Sequence, residues 1–167
     1  MPLLLMVRIG YEEYMFKIDL IAVGKVKKGP WNDLIDDYSK RLKWNVSVIE
    51  VESKYSDSKT QQEHEQRLIL SKLDDSSFVI VLDERGDGLR SLDFSQTMGK
   101  LRDTGIDKIT FLIGGAEGFT DEIRDKANML LSFGQQTWPH VMVRVMLLEQ
   151  IYRAQQILAG HPYHREG

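Results

Sequence analysis

Two loops of the chain carry the residue types from which a ligand pocket is built. The first is the glycine turn GGAEG, residues 114–118, which directly follows an apolar run. The second is the polar loop GQQTW, residues 134–138, which follows another apolar run and precedes Pro139. Because glycine has no Cβ, the backbone at Gly114 and Gly115 can approach a ligand closely. Glycine also marks ordinary strand-to-helix turns, so this motif alone favours a turn that binds nothing.

The glycine turn does not have the spacing of a phosphate-binding loop. Its pattern is G-G-x-x-G, whereas dinucleotide sites use G-x-G-x-x-G, and the mononucleotide pattern G-x-x-x-x-G-K-[ST] occurs nowhere in the chain. The next predicted helix opens with Asp121 and Glu122, whose carboxylates satisfy the positive end of the helix dipole and would repel a phosphate. The sequence therefore favours a small ligand without phosphate.

Two ionisable side chains follow the polar loop at a spacing that suits joint action. His140 and Arg144 are one helical turn apart, so they project from the same side of the helix that Pro139 begins. An unpaired charge in this apolar helix would be costly, so Arg144 is expected to face a pocket or a carboxylate. For His140, a catalytic role and a hydrogen-bonded anchor at the helix start both remain open. Glu149 and Arg153 are spaced to pair with each other.

Two further segments have residue types that RNA recognition uses. The tail HPYHR, residues 161–165, offers an aromatic ring for base stacking together with imidazole and guanidinium groups for phosphates, although a frayed chain end would also fit. Lys25, Lys27 and Lys28 follow the first predicted strand. They could hold RNA phosphates or belong to a solvated loop.

Apolar runs that alternate with amphipathic helical segments predict one α/β domain. The predicted strands are residues 17–23, 46–51, 78–82, 110–113 and 130–133. Such alternation favours a mostly parallel sheet with helices on both faces, where ligands bind beyond the carboxyl ends of the strands. The first helix has an apolar stripe that is expected to pack on the sheet and comprises Trp31, Leu34, Ile35, Tyr38 and Leu42.

Composition restricts the kinds of site and partner. The chain has 167 residues, no cysteine and a net charge of −3. It can therefore form no disulfide or thiolate metal site, and the acidic segment 83–87 is interpreted as a solvated turn, since it lacks calcium-loop spacing. A slightly negative protein is expected to contact nucleic acid only locally or through surfaces shared between subunits. The opening MPLLLMV predicts neither a membrane span nor a secretory signal, so the cytoplasm is the expected compartment.

The last predicted helix, from Pro139 to about Ala159, is apolar on nearly all sides. Such a helix must be covered on nearly all sides. One side can pack on the sheet, and a second is expected to pack against a symmetric copy of the same helix. The sequence therefore predicts a homodimer through the C-terminal helix.

The segments IGGAEGF, LSFGQQTWPHVMVRVMLLEQIYRA and HPYHR resemble the RlmH family of SPOUT-class methyltransferases. The resemblance extends from about Met15 to Arg165, so residues 15–167 are assigned to one domain and residues 1–14 to an upstream extension or a mis-set start codon. It implies methylation of N3 of a pseudouridine in 23S ribosomal RNA, with S-adenosylmethionine as methyl donor and the ribosome as partner. This donor is a phosphate-free cation, which agrees with the acidic start of the predicted helix.

The resemblance also implies a C-terminal trefoil knot, in which residues 133–139 are threaded and wrap the adenosyl group. The implied cofactor-binding residues are Leu82, Gly114, Gly115, Glu117, Gly118, Phe133, Gly134, Gln135, Gln136, Thr137 and Trp138. The implied catalytic residues are His140, Arg144, Tyr163, His164 and Arg165. The histidines are candidates for accepting the N3 proton and the arginines for stabilising developing charge, with the tail reaching the site at the dimer boundary. No metal is needed.

Two other functions fit the same residues less well. One is a non-catalytic dimeric ribosome-binding module of this fold, and the other is a nucleotide-dependent enzyme with an atypical glycine loop. The combination of the intact glycine turn, the polar loop and the YHR ending favours the methyltransferase.

Overall fold

Five strands and five helices alternate along residues 16–165, the part of the chain that the computed structural model describes. The strands are β1 (Lys17–Val23), β2 (Asn45–Val51), β3 (Phe78–Gly88), β4 (Lys108–Ile113) and β5 (Met129–Ser132). The helices are α1 (Pro30–Arg41), α2 (Ser58–Lys72), α3 (Ser91–Asp103), α4 (Asp121–Asp125) and α5 (His140–Leu158). The predicted extension, residues 1–14, lies outside the described residues.

The strands form one parallel sheet in the order β2-β1-β4-β3-β5. The central strands β1 and β4 are almost entirely buried, as expected for a parallel sheet that is covered on both faces. The predicted α/β architecture is confirmed. Because all strands run in the same direction, their carboxyl ends meet at one edge of the sheet, which we call the carboxyl edge.

The helices divide into two layers, each with its own hydrophobic core. On one face, α5 packs between α1 and α3, and its buried residues include Leu147, Leu148 and Ile151. On the other face, Ile69 of α2 and Ile123 of α4 pack against the sheet. The long apolar helix α5 thus lies across the middle of the sheet, with its first residue at the carboxyl edge.

The apolar stripe of α1 is only partly buried. Ile35 is buried and Tyr38 packs against the core, but Trp31 is 38% exposed and Leu34 is 41% exposed. The prediction that the whole stripe packs on the sheet is therefore wrong for these two residues. Leu34 lies about 100° around the helix from Ile35. Trp31 belongs to the first turn, at the edge of the sheet.

The strand β3 continues well beyond its predicted end and contacts β5 twice. Leu131 pairs with Leu82 and, after an irregularity, with Asp87. At Gly86 the two chains are so close that a Cβ atom would lie 2.6 Å from the carbonyl carbon of Leu130. The segment after Leu82 therefore passes directly against the backbone of β5. Whether the chain is threaded as a trefoil knot stays a prediction.

Candidate active site at the carboxyl edge

A cleft of about 850 Å³ opens at the carboxyl edge, at the ends of β4 and β5 and beside residues 82–85 of β3. The glycine turn forms one wall and the segment 133–138 forms the other. Ile113 and Leu131 contribute apolar surface at the strand ends, and His140 lies where α5 begins. A largely preformed concavity of this size and mixed polarity is typical of a small-molecule site.

The structure brings the two predicted loops together around this cleft. Ten of the residues that the sequence assigned to the cofactor line it, namely Leu82, Gly114, Gly115, Glu117, Gly118, Phe133, Gly134, Gln136, Thr137 and Trp138. Gln135 belongs to the same loop but is exposed and does not line the cleft. Contact between these residues and a cofactor stays a prediction.

The glycine turn is packed tightly from behind. A Cβ atom on Gly115 would lie 2.9 Å from Oε2 of Glu65 and 3.0 Å from Cγ1 of Val23. A Cβ on Gly114 would lie 3.2 Å from the ring of Phe119. At both positions the absent side chain therefore lets the turn lie close to its neighbours, which leaves the backbone as the surface that faces the cleft.

Polar side chains of α2 hold the glycine turn in place. Gln62 donates a hydrogen bond from Nε2 to the carbonyl oxygen of Glu117 at 2.9 Å. Gln66 accepts one at Oε1 from the backbone N–H of Thr120 at 3.0 Å. Glu65, between them in sequence, is only 6% exposed. Sequence reasoning missed this support, although polar residues at 62, 65 and 66 on the buried side of a helix were the available signal.

Local hydrogen bonds stabilise the second wall of the cleft, the segment 133–138. Trp138 donates a hydrogen bond from its indole nitrogen to the carbonyl oxygen of Phe133 at 3.2 Å. Ser132 accepts at Oγ from the backbone N–H of Gly134 at 3.1 Å. Gly134 has φ of 110°, a conformation that L-residues with side chains rarely adopt. The segment is thus a compact loop whose ends are fixed at β5.

The acidic segment 83–87, which forms the second half of β3, takes part in the cleft instead of lying free in solvent. Asp83 accepts a hydrogen bond at Oδ2 from Nε of Arg124 at 2.8 Å, and its side chain is 5% exposed. The interpretation as a solvated turn is therefore wrong for Asp83, because α4 supplies a buried cationic partner. Within residues 16–165, no cluster of three His, Asp or Glu side chains is arranged to hold a metal ion.

His140 lies at the end of the cleft, beside the carboxyl end of β1. A Cβ atom on Gly24 would lie 3.1 Å from Nε2 of the imidazole, so the ring rests against this glycine. Partial burial and the positive charge of Arg144 lower the pKa of His140, and the carboxylate of Glu65 opposes that shift. The ring is therefore neutral near pH 7 and can accept a proton.

Arg144 is fully buried behind His140 and does not line the cleft. It donates a hydrogen bond from Nη1 to Oε1 of Glu50 at 2.7 Å. Its Nη2 atom donates to the carbonyl oxygens of Val23 at 3.2 Å and Gly24 at 3.1 Å. The expectation that Arg144 faces a pocket or a carboxylate is met by the carboxylate. Any effect of this charge on a reaction in the cleft would act through the buried network.

The tail packs on the second half of its own α5, away from the cleft. Tyr163 donates a hydrogen bond from its hydroxyl to Oε1 of Glu149 at 3.2 Å, and the guanidinium of Arg153 lies 4.9 Å from the centre of its ring. Nδ1 of His164 is 3.1 Å from Nη1 of Arg153, and Arg165 is exposed. Burial and the nearby Glu149 carboxylate raise the pKa of Tyr163 to about 12. None of the three tail residues lines the cleft.

The predicted pair within α5 is also present. Arg153 donates from Nε to Oε1 of Glu149 at 3.0 Å, as the spacing of the two residues indicated. Together with Tyr163 and His164, this pair forms a cluster that holds the tail. The five predicted catalytic residues therefore occupy three places in one chain: the cleft, the network behind it and the tail cluster.

A family model described as "Predicted SPOUT methyltransferase" matches residues 16–164. This chain belongs to the SPOUT methyltransferase family. Within that family, the curated relatives carry the name ribosomal RNA large subunit methyltransferase H. The protein of that name from Rhodospirillum centenum is 46% identical over 147 residues, which are 87% of this chain and 97% of the relative. The one from Bradyrhizobium diazoefficiens is 44% identical over 158 residues, or 89% and 99% of the two chains. The resemblance to the RlmH family is confirmed.

Among solved structures, the SpoU methyltransferase AviRb from Streptomyces viridochromogenes matches with a TM-score of 0.45 and 13% identity, over 89% of this chain and 62% of that chain. The family of this SPOUT methyltransferase is shown by the family model and the sequence relatives. Across residues 16–165, none of the helices combines the length and the apolar character that a membrane span needs.

Proposed function

We propose that this SPOUT methyltransferase methylates N3 of a pseudouridine in 23S ribosomal RNA, with S-adenosylmethionine as donor and the assembled ribosome in the cytoplasm as substrate. The names of its relatives support methylation of large-subunit ribosomal RNA. The observation that carries the proposal is the convergence of the glycine turn and the segment 133–138 on one cleft, in a chain of this family.

The polarity of the cleft suits a phosphate-free cation. Its basic side chains are already engaged: Arg124 pairs with Asp83 at 2.8 Å, and Arg85 approaches Asp121 at 3.5 Å. Glu117 on the glycine turn adds a carboxylate to the lining. A phosphate would find no free cationic partner at these two arginines, whereas a sulfonium would be favoured by the acidic surroundings. Apolar Ile113 and Leu131 offer surface for an adenine ring.

The residues of the chain would contribute mainly by positioning. S-adenosylmethionine supplies an electrophilic methyl group, so the bond between N3 and the methyl carbon forms as the bond between sulfur and that carbon breaks. The two loops would hold the donor in line with N3, which accounts for much of the rate in such a transfer. The proton on N3 must leave, and His140, neutral and at the end of the cleft, is the proposed acceptor.

A second copy of the chain is proposed to cover an apolar groove on α5. The groove has a volume of about 520 Å³ and is lined by residues that include Tyr38, Phe94, Val145 and Met146. The exposed Leu34 lies one turn before Tyr38 on α1 and extends this apolar surface. Pairing of two copies through α5 would bury this groove together with Leu34.

The dimer would also explain how the tail takes part. In one chain, Tyr163 is bound to Glu149, about 14 Å along α5 from His140 at 1.5 Å per residue. The tail cluster therefore cannot contribute to the cleft of its own chain in this arrangement. We infer that the tail of one copy approaches the cleft of the other, where Tyr163, His164 and Arg165 would contact RNA.

The test is transfer of a labelled methyl group to large ribosomal subunits that lack the modification. Wild-type protein is expected to label one pseudouridine, and mass spectrometry of the digested RNA should locate the methyl group at N3. Labelling at a different nucleoside or atom would overturn the proposed specificity. No labelling by a protein that binds the donor would instead favour the non-catalytic ribosome-binding module.

A further inference from the structure

The loop between β1 and α1 carries three lysines on the surface of the protein. Lys25, Lys27 and Lys28 are all exposed. In the part of the chain that the structure describes, neither Lys27 nor Lys28 forms an ion pair. We call residues 25–28 the lysine loop. None of these three lysines lines the cleft at the carboxyl edge.

The backbone of the lysine loop is fixed although its lysine side chains are exposed. Val26 donates a hydrogen bond from its N–H to Oε1 of Glu50 at 2.9 Å, and the same oxygen accepts from Arg144 at 2.7 Å. Gly24, just before the loop, donates to the carbonyl oxygen of Val51 at 2.8 Å, and Gly29, just after it, accepts from Asp33 at 3.0 Å. A loop held at both ends and in the middle loses little further backbone freedom when a ligand binds.

The carboxylates near the lysine loop are neutralised. Glu50, which touches the loop, is paired with Arg144. Glu52 on the same strand end is paired with Lys54 at 2.7 Å. Glu52 also interacts electrostatically with Lys25, which lowers the pKa of Glu52. The lysine loop nevertheless keeps a local positive charge at Lys27 and Lys28, on a chain whose net charge is −3. Such a local patch attracts a polyanion to one place on an otherwise repelling surface.

The lysine loop is joined to the cleft through Gly24 and His140. Gly24, its immediate neighbour, contacts the imidazole of His140, which lines the cleft. Strand β1 also pairs with β4, whose end leads into the glycine turn, so the two loops leave adjacent strands at the carboxyl edge. A polyanion held by the lysines would thus pass beside the group proposed to accept the proton.

We propose that the lysine loop binds backbone phosphates of the RNA substrate and sets the position of the target nucleotide at the cleft. This inference rests on the proposed function, because it takes RNA as the polyanion. Lysine acts as a point charge that suits phosphate oxygens without reading sequence, so the lysine loop supplies affinity and register, and the cleft selects the base.

The test compares two triple variants with the same change in net charge. The first is Lys25→Gln, Lys27→Gln and Lys28→Gln. The control is Lys40→Gln, Lys72→Gln and Lys100→Gln, which lie in the last turns of α1, α2 and α3. Because helices in a parallel α/β fold run opposite to the strands, these control lysines lie at the edge of the sheet away from the cleft.

Binding of a single-stranded RNA oligonucleotide is measured by fluorescence anisotropy over a range of salt concentrations. The slope of log K against log salt should become shallower by roughly 2 in the lysine-loop variant, at about 0.7 per lost phosphate contact, and should stay unchanged in the control. The KM for large ribosomal subunits should rise at least tenfold in the lysine-loop variant alone, with the Kd for S-adenosylmethionine unchanged in both.

Equal salt slopes and equal KM values in the two variants would overturn the inference. The proposed function would still stand in that case, provided that the wild-type protein transfers methyl groups. Loss of binding to anionic lipid vesicles by the lysine-loop variant, with RNA binding intact, would also overturn it and assign the lysines to a membrane surface. If the wild-type protein neither binds RNA nor methylates ribosomal subunits, both the inference and the proposed function are wrong.

Discussion

The buried Arg144 of α5 forms an ion pair with the partly exposed Glu50 of β2, with Nη1 and Oε1 2.7 Å apart. The pair joins the start of α5 to the far strand of the sheet and leaves Glu50 to accept the backbone N–H of Val26 as well. Arg144 is fully buried, whereas 30% of the Glu50 side chain remains exposed. Together with the hydrogen bonds of Arg144 to the carbonyl oxygens of Val23 and Gly24, this pair fixes the start of α5, which carries His140, relative to the lysine loop.

Removing the charge of Glu50 should destabilise the fold. Glu50→Gln keeps an acceptor for Val26 but leaves the guanidinium of Arg144 buried without an anion. We expect the free energy of unfolding to fall by about 1–3 kcal/mol, less than for a fully buried pair because Glu50 is partly exposed. Urea denaturation measures this. Glu52→Gln is the control, since its partner Lys54 is exposed, and equal effects of the two substitutions would contradict the role of the pair with Arg144.

Gly86 is expected to tolerate no side chain. Its Cβ would lie 2.6 Å from backbone atoms of Leu130 and Leu131, which cannot move without displacing β5. Gly86→Ala should therefore lower stability by at least about 2 kcal/mol and weaken donor binding. Gly88→Ala is the matched control, because nothing lies within 4 Å of its Cβ position. Thermal unfolding of both variants checks the difference, and a stable Gly86→Ala protein would mean that the two segments are not in contact.

The proposed sharing of the tail can be tested by mixing two inactive proteins. Deleting residues 163–167 should spare binding of S-adenosylmethionine and abolish methyl transfer, and His140→Ala should also abolish it. If the tail acts across the dimer, each mixed dimer has one complete cleft, formed by the His140 of the deletion variant and the tail of the His140→Ala variant. Because about half of the dimers in an equal mixture are mixed, the activity should return to about half of that of one wild-type site per dimer. If neither the mixture nor the deletion variant transfers methyl groups, the tail acts in the cleft of its own chain. If the deletion variant is fully active, the tail has no part in the mechanism.

The pH dependence of methyl transfer should report His140. Its pKa is lowered from the ordinary value of 6.5, so the neutral ring persists to lower pH and the rate should fall only as pH drops through that lowered pKa. Glu65 opposes the shift, so Glu65→Gln should lower the pKa further and move the acid limb of log kcat/KM to still lower pH. A limb that moves to higher pH, or does not move at all, would contradict the proposed coupling.

Much of the site could be predicted from the sequence, because the signals are local. Glycine at 114 and 115 and the polar loop 134–138 both follow apolar runs, and parallel strands bring such ends to one edge. The pairing of Glu149 with Arg153 follows from helical spacing. The sequence also indicated that Arg144 needs a partner such as a carboxylate, because a bare charge in an apolar helix is costly.

The identities of long-range partners could not be predicted in this way. Glu50 meets Arg144 only because β2 lies beside β1 in the sheet, and no local pattern encodes that neighbour. Asp83 looked like part of a solvated turn, since Arg124, which buries it, is 41 residues away.

We propose that two loops, residues 114–118 and 133–138, enclose the methyl donor. A crystal structure of the protein with S-adenosylmethionine bound tests this arrangement. We expect the donor between these loops, with its adenine against the apolar strand ends and its sulfonium methyl directed towards His140. A donor found in the groove along α5, or side chains filling the space between the two loops, would contradict it.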